Sequence, residues 1–148
     1  MNLTKLNLLL ADDDSDDRMF FKEAIEELPI EANVTTVRDG VELMHHLNSN
    51  VLKPHALFLD LNMPRKNGFD CLAEIKKSEA LNHIPVIIYS TSFDTEVVNV
   101  LYENGAQHYV CKPGDFLKLK QVIYEALTMV AADKTAPPSK DNFVIQVR

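Results

Sequence analysis

The chain has few cysteines, fewer cations than anions and no long apolar run. Only Cys71 and Cys111 occur among its 148 residues, and they form no CxxC pair. This count excludes a disulfide-stapled secreted scaffold and suits a reducing compartment. Fifteen Lys and Arg against twenty-two Asp and Glu give a net charge of −7. That balance argues against a general electrostatic grip on nucleic acid or anionic lipid.

The apolar runs are too short for a membrane protein. The longest, such as residues 8–11 and 86–89, fall far below the length of a membrane span, and the first residues lack the apolar region of a signal peptide. We therefore expect a cytoplasmic protein without membrane contact. The length and the 46% hydrophobic content are those of one globular domain.

Short apolar runs alternate along the chain with stretches of helical periodicity. Five runs have the pattern of buried strands, at residues 6–11, 33–37, 56–60, 86–89 and 107–111. Amphipathic stretches separate them, the clearest running from Phe21 to Leu28 and from Phe116 to Val130. This order predicts a (βα)5 α/β fold with a doubly wound parallel sheet. The functional site of such a sheet lies at the carboxyl ends of its strands.

The helical pattern stops near residue 131. We expect a folded domain over residues 1–130 and a linker-like tail over residues 131–148, which contains Pro137 and Pro138. The last residues alternate as in a strand, with Phe143, Ile145 and Val147 on one side. Two interpretations stay open. We prefer a mobile terminus, and the alternative is a strand added to a sheet edge of this molecule or of a partner.

Polar side chains follow four of the predicted strands: Asp12 and Asp13, then Asp60, then Ser90, and finally Lys112. Because the carboxyl ends of parallel strands share one sheet edge, we expect these side chains to lie close together. Three clustered carboxylates repel one another unless a cation lies among them, and Mg²⁺ prefers oxygen ligands.

The acidic run continues beyond Asp13, through residues 14–17. We interpret these residues as a helix start, where Asp and Ser cap backbone amides and favour the helix dipole. An EF-hand loop is disfavoured, because Asp17 stands where its sharp turn needs glycine and a strand precedes the run.

Asp60 follows the apolar segment Ala-Leu-Phe-Leu. Beside a metal and Lys112 its carboxylate can attack phosphorus, because in-line displacement needs mainly positioning and charge stabilisation. Ser90 would offer a hydroxyl to a phosphoryl oxygen, with Thr91 as a one-residue alternative. The structural alternatives are that Asp60 and Ser90 cap the following turns and that Lys112 is a surface lysine.

These segments resemble the receiver domain of two-component response regulators. The matching segments are Leu-Leu-Leu-Ala-Asp-Asp-Asp at residues 8–14, Leu-Phe-Leu-Asp-Leu-Asn-Met-Pro at 57–64, Pro-Val-Ile-Ile-Tyr-Ser at 85–90 and Gly-Ala to Lys-Pro at 105–113. The resemblance runs from about residue 7 to 127. It implies a flavodoxin-like five-stranded sheet with strand order 2-1-3-4-5. Within the family the chain looks like the stand-alone receivers of chemotaxis and phytochrome-type kinase pathways.

The resemblance also implies a chemistry for each polar residue. It implies Mg²⁺ as the cofactor, held by Asp12, Asp13, Asp60 and the backbone carbonyl of Asn62. Asp60 would accept a phosphoryl group from a sensor histidine kinase or a phosphotransfer protein, and Ser90 and Lys112 would engage that group. The Lys112–Pro113 bond is expected to be cis.

The resemblance further implies a switch and an output face. Tyr109 matches an aromatic switch residue, although an ordinary half-exposed strand aromatic is the alternative. The output face would comprise the fourth helix, fifth strand and fifth helix, at residues 94–104, 107–111 and 115–130. It could bind a downstream protein target or a second copy of the chain.

We expect a phospho-accepting signalling protein rather than an enzyme, with self-catalysed phosphorylation from small phosphodonors and autodephosphorylation as side reactions. Since the resemblance ends shortly before the tail, we expect output by docking, without direct DNA binding. The alternative is a receiver-like scaffold that works without phosphorylation. A phosphatase of the haloacid dehalogenase type is disfavoured, because Asn62 stands where its second Asp would exchange protons.

Overall fold

The computed structural model describes residues 5–49, 52–132 and 139–146. The strands in these residues are β1 (Leu6–Ala11), β2 (Ala32–Val37), β3 (Ala56–Leu59), β4 (Val86–Ser90), β5 (His108–Cys111) and β6 (Val144–Ile145). The helices are α1 (Ser15–Glu27), α2 (Gly40–Asn48), α3 (Gly68–Lys77), α4 (Thr95–Glu103) and α5 (Phe116–Ala132), with a 3₁₀ turn at Lys140–Asn142.

The strands form one parallel sheet in the order β2-β1-β3-β4-β5-β6. Every residue of β3 and β4 is buried. Because helices cover both faces of the sheet, these central strands do not alternate and are apolar except for Ser90 at the end of β4. The predicted doubly wound, flavodoxin-like sheet is confirmed, and β6 adds a short strand beside β5.

Two apolar clusters flank the sheet. One joins α2, α3 and α4 to the strands through residues such as Leu43, Ile75 and Leu101, and the other joins α1 and α5 through residues such as Phe21 and Ile123. The helices therefore pack against the faces of the sheet and leave its carboxyl edge to the loops. Among the described residues, no helix is both long enough and apolar enough to cross a bilayer.

Capping residues fix where the helices begin. The Asp14 side chain accepts hydrogen bonds from the backbone amides of Asp16 and Asp17, as the predicted helix start requires. Asp39, Asn67 and Asp94 cap α2, α3 and α4 in the same way. The cap at Asp14 leaves only a short loop between β1 and α1, and this loop carries the first two carboxylates of the acidic run.

The tail docks on the β5 edge. Phe143 is 1% exposed, and its ring centroid lies 5.2 Å from that of Tyr102 in α4. Its carbonyl accepts the backbone N–H of Tyr109 at 3.0 Å, directly before β6 pairs with β5. For residues 139–146 the preferred interpretation as a mobile terminus is therefore wrong, because a buried aromatic anchors an added strand. Residues 133–138 and Val147 lie outside the described residues, and the domain division at residue 130 stays a prediction.

Phe143→Ala is expected to lower the free energy of unfolding by about 2 kcal/mol, since it removes a buried aromatic from a short docked segment whose ordering costs entropy. Urea denaturation measures this change. Phe20→Ala is the matched control, because Phe20 is 43% exposed. Equal losses in the two variants would show that the tail is not anchored by Phe143.

Candidate functional site

Three carboxylates meet at the carboxyl edge of the sheet. Oxygens of Asp12, Asp13 and Asp60 lie within 4.8 Å of one another. Asp12 is fully buried and Asp60 is 7% exposed, whereas Asp13 faces solvent. A set of carboxylate oxygens with one open side suits a hard divalent cation that keeps some of its water.

The sheet itself brings two of these residues together. Asp60 donates its backbone N–H to the Ala11 carbonyl at 3.0 Å, and Asp12 donates its own to the Val37 carbonyl at 3.1 Å. Both residues thus stand one step beyond neighbouring strands. The loop after Asp60 returns close to its own backbone, because a Cβ at Gly68 would lie 2.4 Å from the Asp60 carbonyl oxygen. Only glycine permits this approach.

Lys112 supplies the positive charge at the site. Its Nζ lies 2.7 Å from Asp12 Oδ2, 3.0 Å from Asp17 Oδ2 and 3.8 Å from Asp60 Oδ2. The contacts with Asp12 and Asp17 are hydrogen bonds. The contact with Asp60 is an ion pair whose atoms are too far apart for a hydrogen bond. The Lys112 side chain is only 8% exposed, so it is not a surface lysine.

Burial shifts the protonation equilibria of this cluster. Desolvation raises the pKa of Asp60 to about 6, against the opposing charge of Lys112. Desolvation also raises the pKa of Asp12, despite the hydrogen bond from Lys112. Burial disfavours the Lys112 ammonium, but its bonds to Asp12 and its attraction to Asp60 outweigh this and raise its pKa. One buried lysine therefore leaves the carboxylates short of positive charge, which is the electrostatic condition for binding a further cation.

Ser90 and Tyr109 are connected through Ser92. Ser90 ends β4 with 1% exposure, and its Oγ lies 3.1 Å from Ser92 Oγ. The Tyr109 hydroxyl donates a hydrogen bond to the Ser92 carbonyl. Tyr109 is 1% exposed, so the interpretation as a half-exposed strand aromatic is wrong. Thr91, the alternative to Ser90, is exposed.

Asn62 lies at the acidic cluster, as the sequence predicted, whereas the peptide bond before Pro113 does not have the predicted isomer. Asn62 lies beside the cluster, and its backbone N–H donates to Asp60 Oδ1 at 3.3 Å. The metal role of its carbonyl stays a prediction. No cis peptide bond occurs in the described parts of the chain, so the expected cis Lys112–Pro113 bond is wrong. An X–Pro bond prefers trans by only about 0.5–1 kcal/mol, so the surrounding loop rather than the proline selects the isomer.

Sequence reasoning missed three contributors to the site. Asp17 was assigned only to the helix start, although it also binds Lys112. Ser92 was not expected to link Ser90 with Tyr109. Tyr89 was interpreted only as part of a strand, but its ring centroid lies 4.8 Å from Lys112 Nζ, as in a cation–π contact. The available signal for Asp17 was its position in the first turn of a helix that begins at the acidic cluster.

A doubly wound sheet with this acidic edge and a buried lysine is the architecture of a receiver. The model of the response regulator receiver domain family matches residues 8–124, and the chain belongs to this family. Its Asp12, Asp13 and Asp60 form the acidic cluster typical of receiver domains that bind divalent metal. Membership implies two-component signalling through a histidine kinase or a phosphotransfer protein.

Two curated relatives match most of the chain. Response regulator Rcp1 of Synechocystis is 33% identical over 143 residues, which cover 88% of this chain and 97% of that protein. The probable methanogenesis regulatory protein FilR2 of Methanothrix harundinacea is 30% identical over 122 residues, which cover 80% of this chain and 79% of that protein.

Solved structures agree with these relatives. The phosphorylated cyanobacterial phytochrome response regulator RcpA superposes with a TM-score of 0.81 at 30% identity, covering 91% of this chain and all of that chain (100%). The Mn²⁺-bound form of Rcp1 superposes with a TM-score of 0.76 at 27% identity, covering 90% of this chain and 99% of that chain. The chain is thus similar to phytochrome response regulators in both sequence and fold.

Proposed function

We propose that the chain is a stand-alone response regulator whose Asp60 accepts a phosphoryl group in a magnesium-dependent reaction. The observation that carries the proposal is the meeting of three carboxylates within 4.8 Å, with the Lys112 ammonium 3.8 Å from Asp60 Oδ2. The stand-alone form is supported by the match to Rcp1, which spans 97% of that protein.

Asp60 is the nucleophile in this proposal. Its carboxylate oxygen forms a bond to phosphorus while the bond from phosphorus to a histidine nitrogen of the donor breaks. The electron pair of the broken bond stays on the imidazole, which takes up a proton from solvent. With a pKa of about 6, Asp60 is mostly ionised at neutral pH and is therefore ready to attack.

The surrounding residues stabilise the transferred group. Asp12, Asp13, Asp60 and the Asn62 carbonyl would hold Mg²⁺, which when bound supplies positive charge to the phosphoryl oxygens. The donor set fits this ion because all of its ligand atoms are oxygens. Lys112 and Ser90 donate hydrogen bonds to the remaining phosphoryl oxygens.

The Ser90–Ser92–Tyr109 connection carries the signal outward. When the Ser90 hydroxyl turns to the phosphoryl group, its 3.1 Å contact with Ser92 Oγ is lost. The Ser92 carbonyl holds the Tyr109 hydroxyl, so a shift at Ser92 also moves Tyr109. Phosphorylation then favours one arrangement of the face formed by α4, β5 and α5, to which a downstream protein or a second copy binds.

We also propose the setting in which this switch works. RcpA is described as a phytochrome response regulator, so a sensor histidine kinase of the phytochrome type is the first donor to try. The protein would act in the cytoplasm and would reach its output through a protein target. Its net charge of −7 disfavours direct DNA binding.

Intact-protein mass after incubation with acetyl phosphate and Mg²⁺ tests the proposal. We expect one phosphoryl adduct in the wild type, and none in Asp60→Asn or in the presence of EDTA. Asp70→Asn, which removes an exposed carboxylate of α3, is the control and should gain the adduct. An adduct on Asp60→Asn at the wild-type level would refute the assignment. No adduct on the wild type, even with a histidine kinase supplied, would favour the phosphorylation-independent scaffold.

A further inference from the structure

Lys112 is shared between two carboxylates on the α1 side of the site. Its ammonium hydrogen-bonds Asp12 Oδ2 at 2.7 Å and Asp17 Oδ2 at 3.0 Å, whereas Asp60 Oδ2 is 3.8 Å away. An ammonium has three donors, so these two bonds leave one. In this arrangement the lysine donates its hydrogen bonds to Asp12 and Asp17 rather than to Asp60, the proposed nucleophile.

The two partners of Lys112 differ in what holds them. Asp12 is fully buried, and it accepts the backbone N–H of Asp14 at 3.0 Å as well as the lysine. The Asp17 side chain is 35% exposed and belongs to the first turns of α1. Asp12 is thus a fixed member of the cluster, whereas Asp17 reaches the lysine from a helix at its margin.

Tyr89 closes the site beneath the lysine. Its ring centroid lies 4.8 Å from Lys112 Nζ. The ring packs edge-to-face on Phe21 and Phe58, with centroid separations of 5.7 and 6.0 Å, so its position is fixed by neighbours from α1 and β3. The ammonium therefore lies between carboxylates above an aromatic ring that its neighbours hold in place, and the direction of its hydrogen bonds depends on which acceptors surround it.

We propose that Asp17 is a positioning residue that holds Lys112 on the α1 side and competes with the phosphoryl group for its ammonium. The inference rests on the proposed function of Asp60. A phosphoryl group on Asp60 would draw Lys112 toward the nucleophile, which now lies 3.8 Å away, and this movement lengthens the 3.0 Å hydrogen bond to Asp17. Asp17 also keeps a negative charge 3.0 Å from the ammonium that the phosphoryl group needs. Both effects weaken the hold on the phosphoryl group and shorten the life of the phosphorylated state.

Asp17→Asn and Asp16→Asn form a matched pair. Both variants remove one negative charge from the first turns of α1, but the structure describes no contact of the exposed Asp16 side chain with Lys112. We expect Asp17→Asn to bind fluoroberyllate, a phosphoryl mimic, about fivefold more tightly in the presence of Mg²⁺ and to lose its phosphoryl group more slowly by a similar factor. Asp16→Asn should stay within about twofold of the wild type.

The direction of the change separates positioning from mere structural support. A residue that only stabilised the fold would weaken fluoroberyllate binding when replaced, whereas a competitor strengthens it. Equal behaviour of Asp17→Asn and Asp16→Asn in both measurements would overturn the inference and leave the proposed function standing.

The NMR signal of the Lys112 side chain in the metal-free protein reports on the contact between Lys112 and Asp17 independently of phosphorylation. It should shift in Asp17→Asn and stay in place in Asp16→Asn. If the wild type bound no fluoroberyllate, the proposed function would be refuted, and so would the competition between Asp17 and the phosphoryl group. An unchanged Lys112 signal in Asp17→Asn would refute the positioning contact alone.

Discussion

Asp60→Asn is expected to raise the free energy of unfolding of the metal-free protein by about 3 kcal/mol at neutral pH. Burial raises the folded-state pKa of Asp60 from 3.8 to about 6. The folded state therefore binds this proton more tightly than the unfolded state, and the ionised carboxylate destabilises the fold. Asparagine keeps the shape and removes the charge.

The same pKa fixes the pH window of the effect. A raised folded-state pKa gives stability that is fully present below the unfolded value of 3.8 and is lost as the pH rises through about 6. Urea denaturation of the wild type in EDTA should show this loss, and Asp60→Asn should lack the part that Asp60 contributes. Glu79→Gln, at an exposed loop carboxylate, is the control. An unchanged pH dependence in Asp60→Asn would show that Asp60 is not desolvated as described.

Lys112→Met is expected to lower the free energy of unfolding of the metal-free protein by about 3 kcal/mol at neutral pH, because it leaves buried carboxylates without their cation. Asp12 is fully buried and its hydrogen bond from Lys112 measures 2.7 Å, so it loses the most. Adding Mg²⁺ should restore part of the stability, since a second cation replaces the missing charge at the cluster.

Urea denaturation with and without Mg²⁺ measures both effects of the lysine substitution. Lys118→Met is the matched control, because Lys118 is exposed on α5. If the two variants were equally stable in EDTA, the ion pairs of Lys112 would contribute nothing measurable to the fold. If Mg²⁺ raised the free energy of unfolding of Lys112→Met no more than that of Lys118→Met, the acidic cluster would not bind the ion as proposed.

The sheet and its carboxyl edge were predictable because their signals are local. Uniformly apolar segments mark buried parallel strands, and a carboxylate directly after such a segment must lie at the strand end. This reasoning located Asp12, Asp13 and Asp60 without any knowledge of side-chain packing. It also located Lys112, although only the structure shows which carboxylates the lysine contacts.

The features that escaped prediction depend on packing between distant segments. The contact between Asp17 and Lys112 depends on how α1 is oriented about its own axis. It also depends on the extended side chain of a lysine that lies 95 positions later in the sequence. The burial of Tyr109 depends on the course of the loop after β4, where the ring lies 6.2 Å from Phe93. Local periodicity does not contain such information.

The added strand β6 was not the preferred prediction, for a similar reason. β6 has only two residues, and a proline-containing segment separates it from α5. Its position depends on Phe143, which is buried beside Tyr102 of α4. Alternation alone could not distinguish an anchored strand from a free terminus, because the anchor site is built by other elements.

The central claim is that Asp60 is the phosphoryl acceptor, and mapping the modified carboxylate tests it most directly. Borohydride reduces an acyl phosphate and converts that aspartate to homoserine, which peptide mass spectrometry then locates. After treatment of the wild type with acetyl phosphate and Mg²⁺, we predict homoserine at Asp60 alone. Homoserine at Asp12 or Asp13, or at no aspartate of a protein that carries a phosphoryl adduct, would contradict the account.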